Sequence, residues 1–439
     1  MEKDKLGIIF SYANAGLGHL RVTDALADGM PLGFPSLVIN PQDKGIRMLH
    51  RIGSTWPILR GLTEWFQNGL PAEFFTKVYK SYLRRSSNDA KVTLEISIKN
   101  WRPKPEKILV VCTHFGLAHG LAWAKNEIEK EENLKIFLVV QVTDDSPQYI
   151  WYVEGADIIF VPSQKTKDEL ITYGKQKNLA PVNFVVNPYP VSKTLGINLT
   201  KDEYLGKQNQ LDPAKKDKIH FSIPIPGAAV GTEFKERLIS ELSTYSPRFV
   251  FHIITREAPY TRKFIKSMSG LENVEVVSSK VDREVVDDYE NLFKKQIISL
   301  EVTKPSEQAF KAIFSPETRG GVIMLFSRPV GRQEYDNLDF LIRHKLIPED
   351  GEQKKLFELA QRKEIITDEL RYIFSFWRGL RLPDDPAAAA NFIYWCFKEK
   401  IFQKMLVIED LRIPAGFEEE LGSEGVARFW TKTFEILNL

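Results

Sequence analysis

Short apolar runs alternate with helical stretches along most of this chain, and they do so in two series. The first reads Leu6–Tyr12, Ser36–Asn40, Ile108–Cys112, Ile136–Val142, Ile158–Val161 and Asn183–Val186; the second reads Ile219–Ile223, Phe249–Ile254, Val274–Val277, Gln296–Val302 and Val322–Phe326. Alternation of this kind implies right-handed crossovers and a parallel sheet with helices on both faces. A polar stretch from Leu199 to Asp217 separates the series, and 439 residues suit two domains better than one. The expected architecture is therefore α/β, with Rossmann-like domains over 1–200 and 215–350. A helical extension follows over 351–439, in which Asp384-Asp385 before Pro386 reads as a helix start.

Composition narrows the class. Hydrophobic residues make up 43% and charged residues 27%, as in a folded globular protein, and a net charge of +2 gives the whole molecule no polyanion-binding character. The two cysteines, Cys112 and Cys396, are far apart in apolar surroundings, which fits reduced core thiols in a cytoplasmic protein rather than a disulfide framework or zinc site. The charged N-terminus runs directly into a strand. No apolar run reaches the roughly 18–20 residues of a membrane span, so the chain is expected to touch a bilayer without crossing it.

Chemistry-bearing residues fall where strands give way to turns. Gly16-Leu17-Gly18-His19 follows the first strand and opens a helix, a place where backbone N–H groups and one imidazole meet a ligand. A dinucleotide fingerprint is excluded, because the third glycine of Gly-x-Gly-x-x-Gly is missing. Val142-Thr143-Asp144-Asp145 ends another strand in two carboxylates: Asp144 or Asp145 can accept a proton or bind a sugar hydroxyl, while Asp145 or Ser146 equally suits a turn cap before Pro147. Thr113-His114 stands at a third strand end, as a site residue or as a structural hydrogen-bonding group. In the second series, Gly227 lies in a small-residue loop fit for a phosphate, Glu307 follows Thr303-Lys304-Pro305, and Gly331-Arg332-Gln333-Glu334-Tyr335-Asp336-Asn337 is a dense polar segment.

The order of these motifs resembles a known family, the two-domain glycosyltransferases that include monogalactosyldiacylglycerol synthase, the processive diacylglycerol glucosyltransferases and the peptidoglycan N-acetylglucosaminyl transferase. The shared features are the glycine turn with His19, Val-Thr-Asp, Val161-Pro162-Ser163, Asn187-Pro188-Tyr189-Pro190, Thr303-Lys304-Pro305 and Gly-x-Gln-Glu-x-x-Asn, spanning Gly7 to Leu346. The resemblance implies a GT-B fold, two domains facing across a cleft, with the acceptor on the N-terminal domain and the nucleotide-sugar on the C-terminal one. It also implies an inverting, metal-independent transfer of a hexose from a nucleotide-diphosphate sugar, a UDP-sugar, with no resident cofactor or metal. That fits the lack of an Asp-x-Asp motif in this sequence. On matching positions, His19 is the base and Asp144 its companion near the acceptor hydroxyl. Gly16 and Gly18 allow close backbone approach, and Gly227, Glu307, Gln333, Glu334 and Asn337 hold the donor. Arg256, just past a strand of the second series, is a further charge partner.

Two positions depart from the family. Gln148 stands where the lipid-sugar enzymes have a histidine, and the Lys-Pro-Gly-Gly loop is reduced to Lys304-Pro305-Ser306-Glu307. These leave room for a same-fold sugar-nucleotide epimerase, a transferase with a soluble acceptor, or a nucleotide-sugar-binding protein without activity. Between Lys44 and Lys107, thirteen Lys/Arg face five Asp/Glu and are interleaved with Trp56, Trp65, Phe66, Phe74, Phe75, Tyr79, Tyr82 and Trp101. Such a stretch suits an anionic membrane surface, or a core whose solvated face carries the charges. The family resemblance favours a lipid acceptor at the inner face of the membrane. Nucleic acid is disfavoured, because the aromatics recur at helical spacing instead of on an exposed sheet.

Overall fold

The computed structural model describes residues 5–13, 16–40, 88–325, 329, 331–406 and 416–439. The chain divides into two compact units: Met1–Ser192 with Gly331–Gln333 and Glu418–Leu439, and Lys193–Val330 with Glu334–Phe417.

The first unit is built on a six-stranded parallel sheet, β1 (Leu6–Ser11), β2 (Ser36–Ile39), β3 (Lys107–Cys112), β4 (Lys135–Gln141), β5 (Ile158–Val161) and β6 (Phe184–Val186), in the order β2-β1-β3-β4-β5-β6. Every residue of β1 is buried, as expected for a parallel strand covered on both faces. Gly7 is needed there: a Cβ would come within 2.9 Å of the Trp101 ring, which lies 8% exposed in the core of this unit. Trp101 is thus a core residue and not part of a membrane-facing set. The other aromatics of the basic stretch, Trp56 to Tyr82, lie outside the described residues.

The second unit repeats the plan with β7 (Ile219–Pro224), β8 (Phe249–Arg256), β9 (Val274–Ser279), β10 (Leu300–Thr303), β11 (Val322–Leu325) and β12 (Gly379–Arg381), ordered β12-β11-β10-β7-β8-β9 and parallel throughout. One sheet face is apolar, with Phe221, Ile223, Phe251, Ile253, Leu300, Val302 and Met324 in a single core. That core also contains Ala389, Ala390, Phe392, Ile393, Cys396 and Phe397 of helix Pro386–Lys398. The N-cap expected before Pro386 is present, with Asp385 accepting from the Ala388 N–H at 2.8 Å.

The stretch 351–439 is therefore divided rather than a separate extension. It gives the second sheet its sixth strand, Gly379-Leu380-Arg381, which forms no apolar run in the sequence, and it adds to the second core. Its last helix, Gly425–Leu437, belongs to the first unit. There Trp430 Nε1 donates to the Leu26 carbonyl at 2.9 Å and Asn187 Nδ2 to the Gly425 carbonyl at 2.8 Å. A side chain at Gly425 would meet the Pro188 carbonyl at 2.4 Å, so close approach requires glycine.

In each sheet the chain runs outward from one central strand and then returns to build the other half. The reversal falls between β1 and β3 in the first unit and between β7 and β10 in the second. At such a switch point the turns at the strand C-termini diverge and leave a crevice where ligands bind.

Candidate functional site

At the first switch point, Ser11 and Cys112 are register partners, and the next residue, Thr113, donates its N–H to the Ser11 carbonyl at 3.1 Å. Gly16 has φ +135°, a backbone state that side chains rarely adopt, and no atom crowds its Cβ direction. The glycine is thus set by backbone geometry alone. Helix Leu17–Asp28 begins immediately, with Gly18 and His19 half-buried in its first turn.

The His19 ring is anchored through Nδ1, which lies 2.8 Å from the Thr113 carbonyl and 3.2 Å from Thr143 Oγ1. A carbonyl can only accept, so this contact puts a proton on Nδ1. Thr143 is held in turn by Tyr189, whose hydroxyl donates to the Thr143 carbonyl at 2.9 Å. The Val-Thr-Asp and Asn-Pro-Tyr motifs therefore converge on His19. Asp144, directly after Thr143, remains half-buried at the same edge.

The ambiguity between the two aspartates is resolved by their contacts. Asp145 is buried and accepts from the hydroxyls of Ser163 and Thr166 at the start of helix Gln164–Gln176, a structural role. His114 is also structural: it is fully buried, caps helix Phe115–Glu132 by accepting the Gly116 N–H on Nδ1, and sets its ring edge-to-face with His19 at 4.9 Å. Gln148 lies at the entry to the turn Tyr149–Trp151, half-buried, with its Nε2 enclosed and without an acceptor among the described residues.

At the second switch point the chemistry is ionic. Lys304 follows β10 and forms an ion pair with Glu334 in the first turn of helix Gly331–Arg343, and Asn337 Nδ2 donates to the Pro305 carbonyl at 3.3 Å. Glu334 and Asn337 thus hold the Thr-Lys-Pro turn. Gln333, Glu334 and Asn337 all lie on this one helix, Gly331–Arg343. Glu307 opens the short helix Glu307–Ile313 and is half-buried. That helix stands on a buried network in which Lys311 pairs with Glu301 and donates to Gln308 Oε1 at 2.7 Å, while the Tyr289 hydroxyl donates to Glu301 at 2.7 Å.

The loop after β7 turns at Ala229 (φ +54°) and Gly231 (φ +81°), just before helix Thr232–Tyr245. Gly227, in the loop expected to receive the phosphate, is not among the glycines with positive φ, and its carbonyl accepts from the Tyr260 hydroxyl at 2.8 Å. Arg256 ends β8 and pairs with Asp282 at 3.2 Å, so its charge is engaged within the unit.

Sequence reading missed Lys235. This lysine is fully buried and donates to the Pro224 carbonyl at 2.9 Å, at the mouth of the loop. Burial, then the neighbouring charge of Lys304, pushes its pKa down to about 7. The signal was available: Lys235, Leu238, Ile239 and Leu242 share one helix face, so the lysine occupies a core position. Among the described residues no group of three or more His, Cys, Asp or Glu could hold a metal ion, and no helix is long and apolar enough to cross a membrane.

No family model and no curated protein matches the sequence. Among solved structures, a UDP co-structure of MnaA from S. aureus aligns over 99% of this chain and 97% of that chain, with a TM-score of 0.50 and 11% identity. A UDP-GlcNAc 2-epimerase from Neisseria meningitidis bound to UDP-GlcNAc aligns over 98% and 99% at TM-score 0.48 and 11% identity. A UDP-glucosyltransferase from Polygonum tinctorium aligns over 99% of both chains at TM-score 0.46 and 11% identity. At such identity the likeness to the first shows the fold alone: two α/β domains with parallel sheets, as in the GT-B class.

Proposed function

We propose that this chain is an inverting, metal-independent glycosyltransferase of the lipid-glycosylating type resembled by its motifs. It moves a hexose from a UDP-sugar to a lipid or glycolipid hydroxyl while peripherally bound to the inner membrane face in the cytoplasm. The observation that carries the reading is the anchoring of the His19 ring through Nδ1. With Nδ1–H donated to the Thr113 carbonyl at a switch-point edge, Nε2 is the ring nitrogen assigned to proton transfer in this reading, with Asp144 next to Thr143 in sequence.

In the reaction, Nε2 of His19 takes the acceptor hydroxyl proton, the alcohol oxygen bonds to the anomeric carbon, and the bond from that carbon to the diphosphate breaks. Negative charge then builds on the leaving diphosphate. In this reading, N–H groups at the start of helix Thr232–Tyr245 and the cation of Lys304 oppose that charge, and Glu307 takes the ribose hydroxyls. The interleaved aromatics and cations of the basic stretch support the lipid acceptor.

The test is a panel of UDP-, GDP- and TDP-sugars incubated with the purified chain and lipid extract. Transfer to lipid that persists in chelator is expected. Sugar-nucleotide consumption without any acceptor selects the epimerase, binding without turnover selects a non-catalytic protein, and absence of all three overturns the reading.

A further inference from the structure

We propose that Glu275, His252 and His220 form an acid-operated latch across strands β9, β8 and β7: the chain of rings carries one added proton with every contact kept, and a second parts the two imidazoles and loosens the β8–β9 side of the sheet. The inference goes beyond the nucleotide-sugar reading and does not depend on it.

Alternation along β7 and β8 sends Phe221, Phe251 and Ile253 into the second core, so His220 and His252 lie on the opposite sheet face. His252 and Glu275 are register partners, and His252 is 6% exposed. Glu275 Oε2 lies 2.9 Å from His252 Nδ1, and His252 Nε2 lies 2.8 Å from His220 Nδ1, with the ring centroids 5.1 Å apart and stacked. An ionised carboxylate only accepts, which puts a proton on His252 Nδ1. Two ring nitrogens 2.8 Å apart hold a single proton between them. With both rings neutral, His220 Nδ1 therefore donates and His252 Nε2 accepts.

An added proton enters at Nε2 of His220, the one ring nitrogen of the pair outside these two contacts. As it binds, the shared proton passes from His220 Nδ1 to His252 Nε2. His220 is then neutral again, and the positive charge rests on His252 against Glu275. No contact is lost. A second proton has only His220 Nδ1 to occupy, where it meets the N–H of His252. Two N–H groups cannot share a hydrogen bond and two cations repel, so the rings separate. Burial opposes both charges: it holds His252 below its usual pKa, partly offset by Glu275, and together with the neighbouring His252 it pushes His220 down to about 4.

The surroundings add little charge of their own. Lys218, just before β7, further disfavours charge on His220. From helix Lys201–Leu211 the contact is the neutral Gln210, whose Oε1 accepts the His220 N–H at 3.1 Å. Helix Asp282–Lys295 packs on β8 and β9 with Val285, Val286, Tyr289 and Phe293 buried. Its half-buried acids are Asp282, paired with Arg256, Glu290, which accepts from Thr194, and Asp288. On β10, Glu301 is paired with Lys311. Burial, then Asp287 and Glu284, raise the pKa of Asp288, which makes it the control for acid effects in this region.

The experiment is an NMR pH titration of the full chain labelled with nitrogen-15 histidine, paired with amide hydrogen exchange corrected for its intrinsic pH dependence. At about pH 7.5 both rings should carry their proton on Nδ1. Between about pH 7 and 4 they should titrate in two separate steps, His252 first, and protection of β8 and β9 should fall at least about tenfold with the second step while β3 and β4 keep theirs. Glu275→Gln still accepts from His252 but removes the negative charge, and should lower the first step by about one pH unit. His220→Gln should abolish the acid loss of protection, and Asp288→Asn should leave both steps in place. Should His220→Gln fail to fold, the wild-type titration and Glu275→Gln decide the matter. The proposal is overturned by a neutral His252 with its proton on Nε2, by a single shared step, or by a first step unmoved in Glu275→Gln. It is equally overturned by a loss of protection that β3 and β4 share, that survives in His220→Gln, or that vanishes in Asp288→Asn.

Discussion

The two units share one topology yet furnish their switch points with opposite chemistry. At the edge after β1 and β3 the functional groups are imidazoles, threonine and tyrosine hydroxyls and backbone carbonyls, with His19 oriented by two oxygen contacts. At the edge after β7 and β10 they are ion pairs and a buried lysine. Neutral hydrogen bonds fix a tautomer without adding charge, which suits moving a proton. Buried lysines at a strand end suit an anion. The difference shows that the fold supplies the crevice and the turn residues supply the chemistry.

The largest effect should come from breaking the neutral edge. His19→Ala is expected to lower kcat by about 10²–10⁴-fold, the usual contribution of a positioned base, while UDP affinity stays the same. Retained turnover would remove proton transfer from this edge and erase the contrast.

On the ionic side, Lys311→Met leaves Glu301, which is 1% exposed, without its cation, and should cost about 3–5 kcal/mol in chemical denaturation. Because Glu307 opens the helix carrying Lys311, UDP affinity should weaken as well. A stability loss below about 1 kcal/mol would mean that the network does not support this edge.

A smaller effect concerns acid stability. His220 Nδ1 lies 2.8 Å from His252 Nε2, and His252 Nδ1 lies 2.9 Å from Glu275. Burial first, then His252, pushes the His220 pKa down from 6.5 to about 4. Between these values the unfolded chain binds more protons than the folded one, so stability falls as pH drops through about 6.5 to 4. After discounting for the partial exposure of His220, the loss is on the order of 1–2 kcal/mol. His220→Gln should flatten this part of the pH profile in thermal melts. An unchanged profile would assign the acid sensitivity to other groups.

The smallest effect separates ligand binding from scaffolding at the second edge. Arg256→Ala removes a partly exposed ion pair and should cost less than about 1 kcal/mol, with UDP affinity unchanged. A tenfold loss of affinity would return Arg256 to the donor-binding set.

Much of the fold was legible because parallel strands buried on both faces are nearly continuous apolar runs. Eleven such segments were read in two series, and all eleven are strands, although β10 begins at Leu300 and not at Gln296. The turns bearing His19, Asp144 and Glu307 were legible for the same reason, since a strand end followed by a helix start places them at a sheet edge. β12 was hidden because Gly379-Leu380-Arg381 is not an apolar run, unlike the equally short β6. The destinations of helices Pro386–Lys398 and Gly425–Leu437 were equally hidden, because an apolar face says that a helix is buried and not which core receives it.

The sequence by itself determined two parallel-sheet domains and the strand-end positions of the candidate residues, because period and turn chemistry are local properties. Tertiary structure alone decided that Asp145 and His114 hold helix starts, that Glu334 pairs with Lys304 and Arg256 with Asp282, and that Lys235 donates to the Pro224 carbonyl. Those outcomes depend on contacts between distant segments, and on how far each charge is removed from water, which no local pattern encodes.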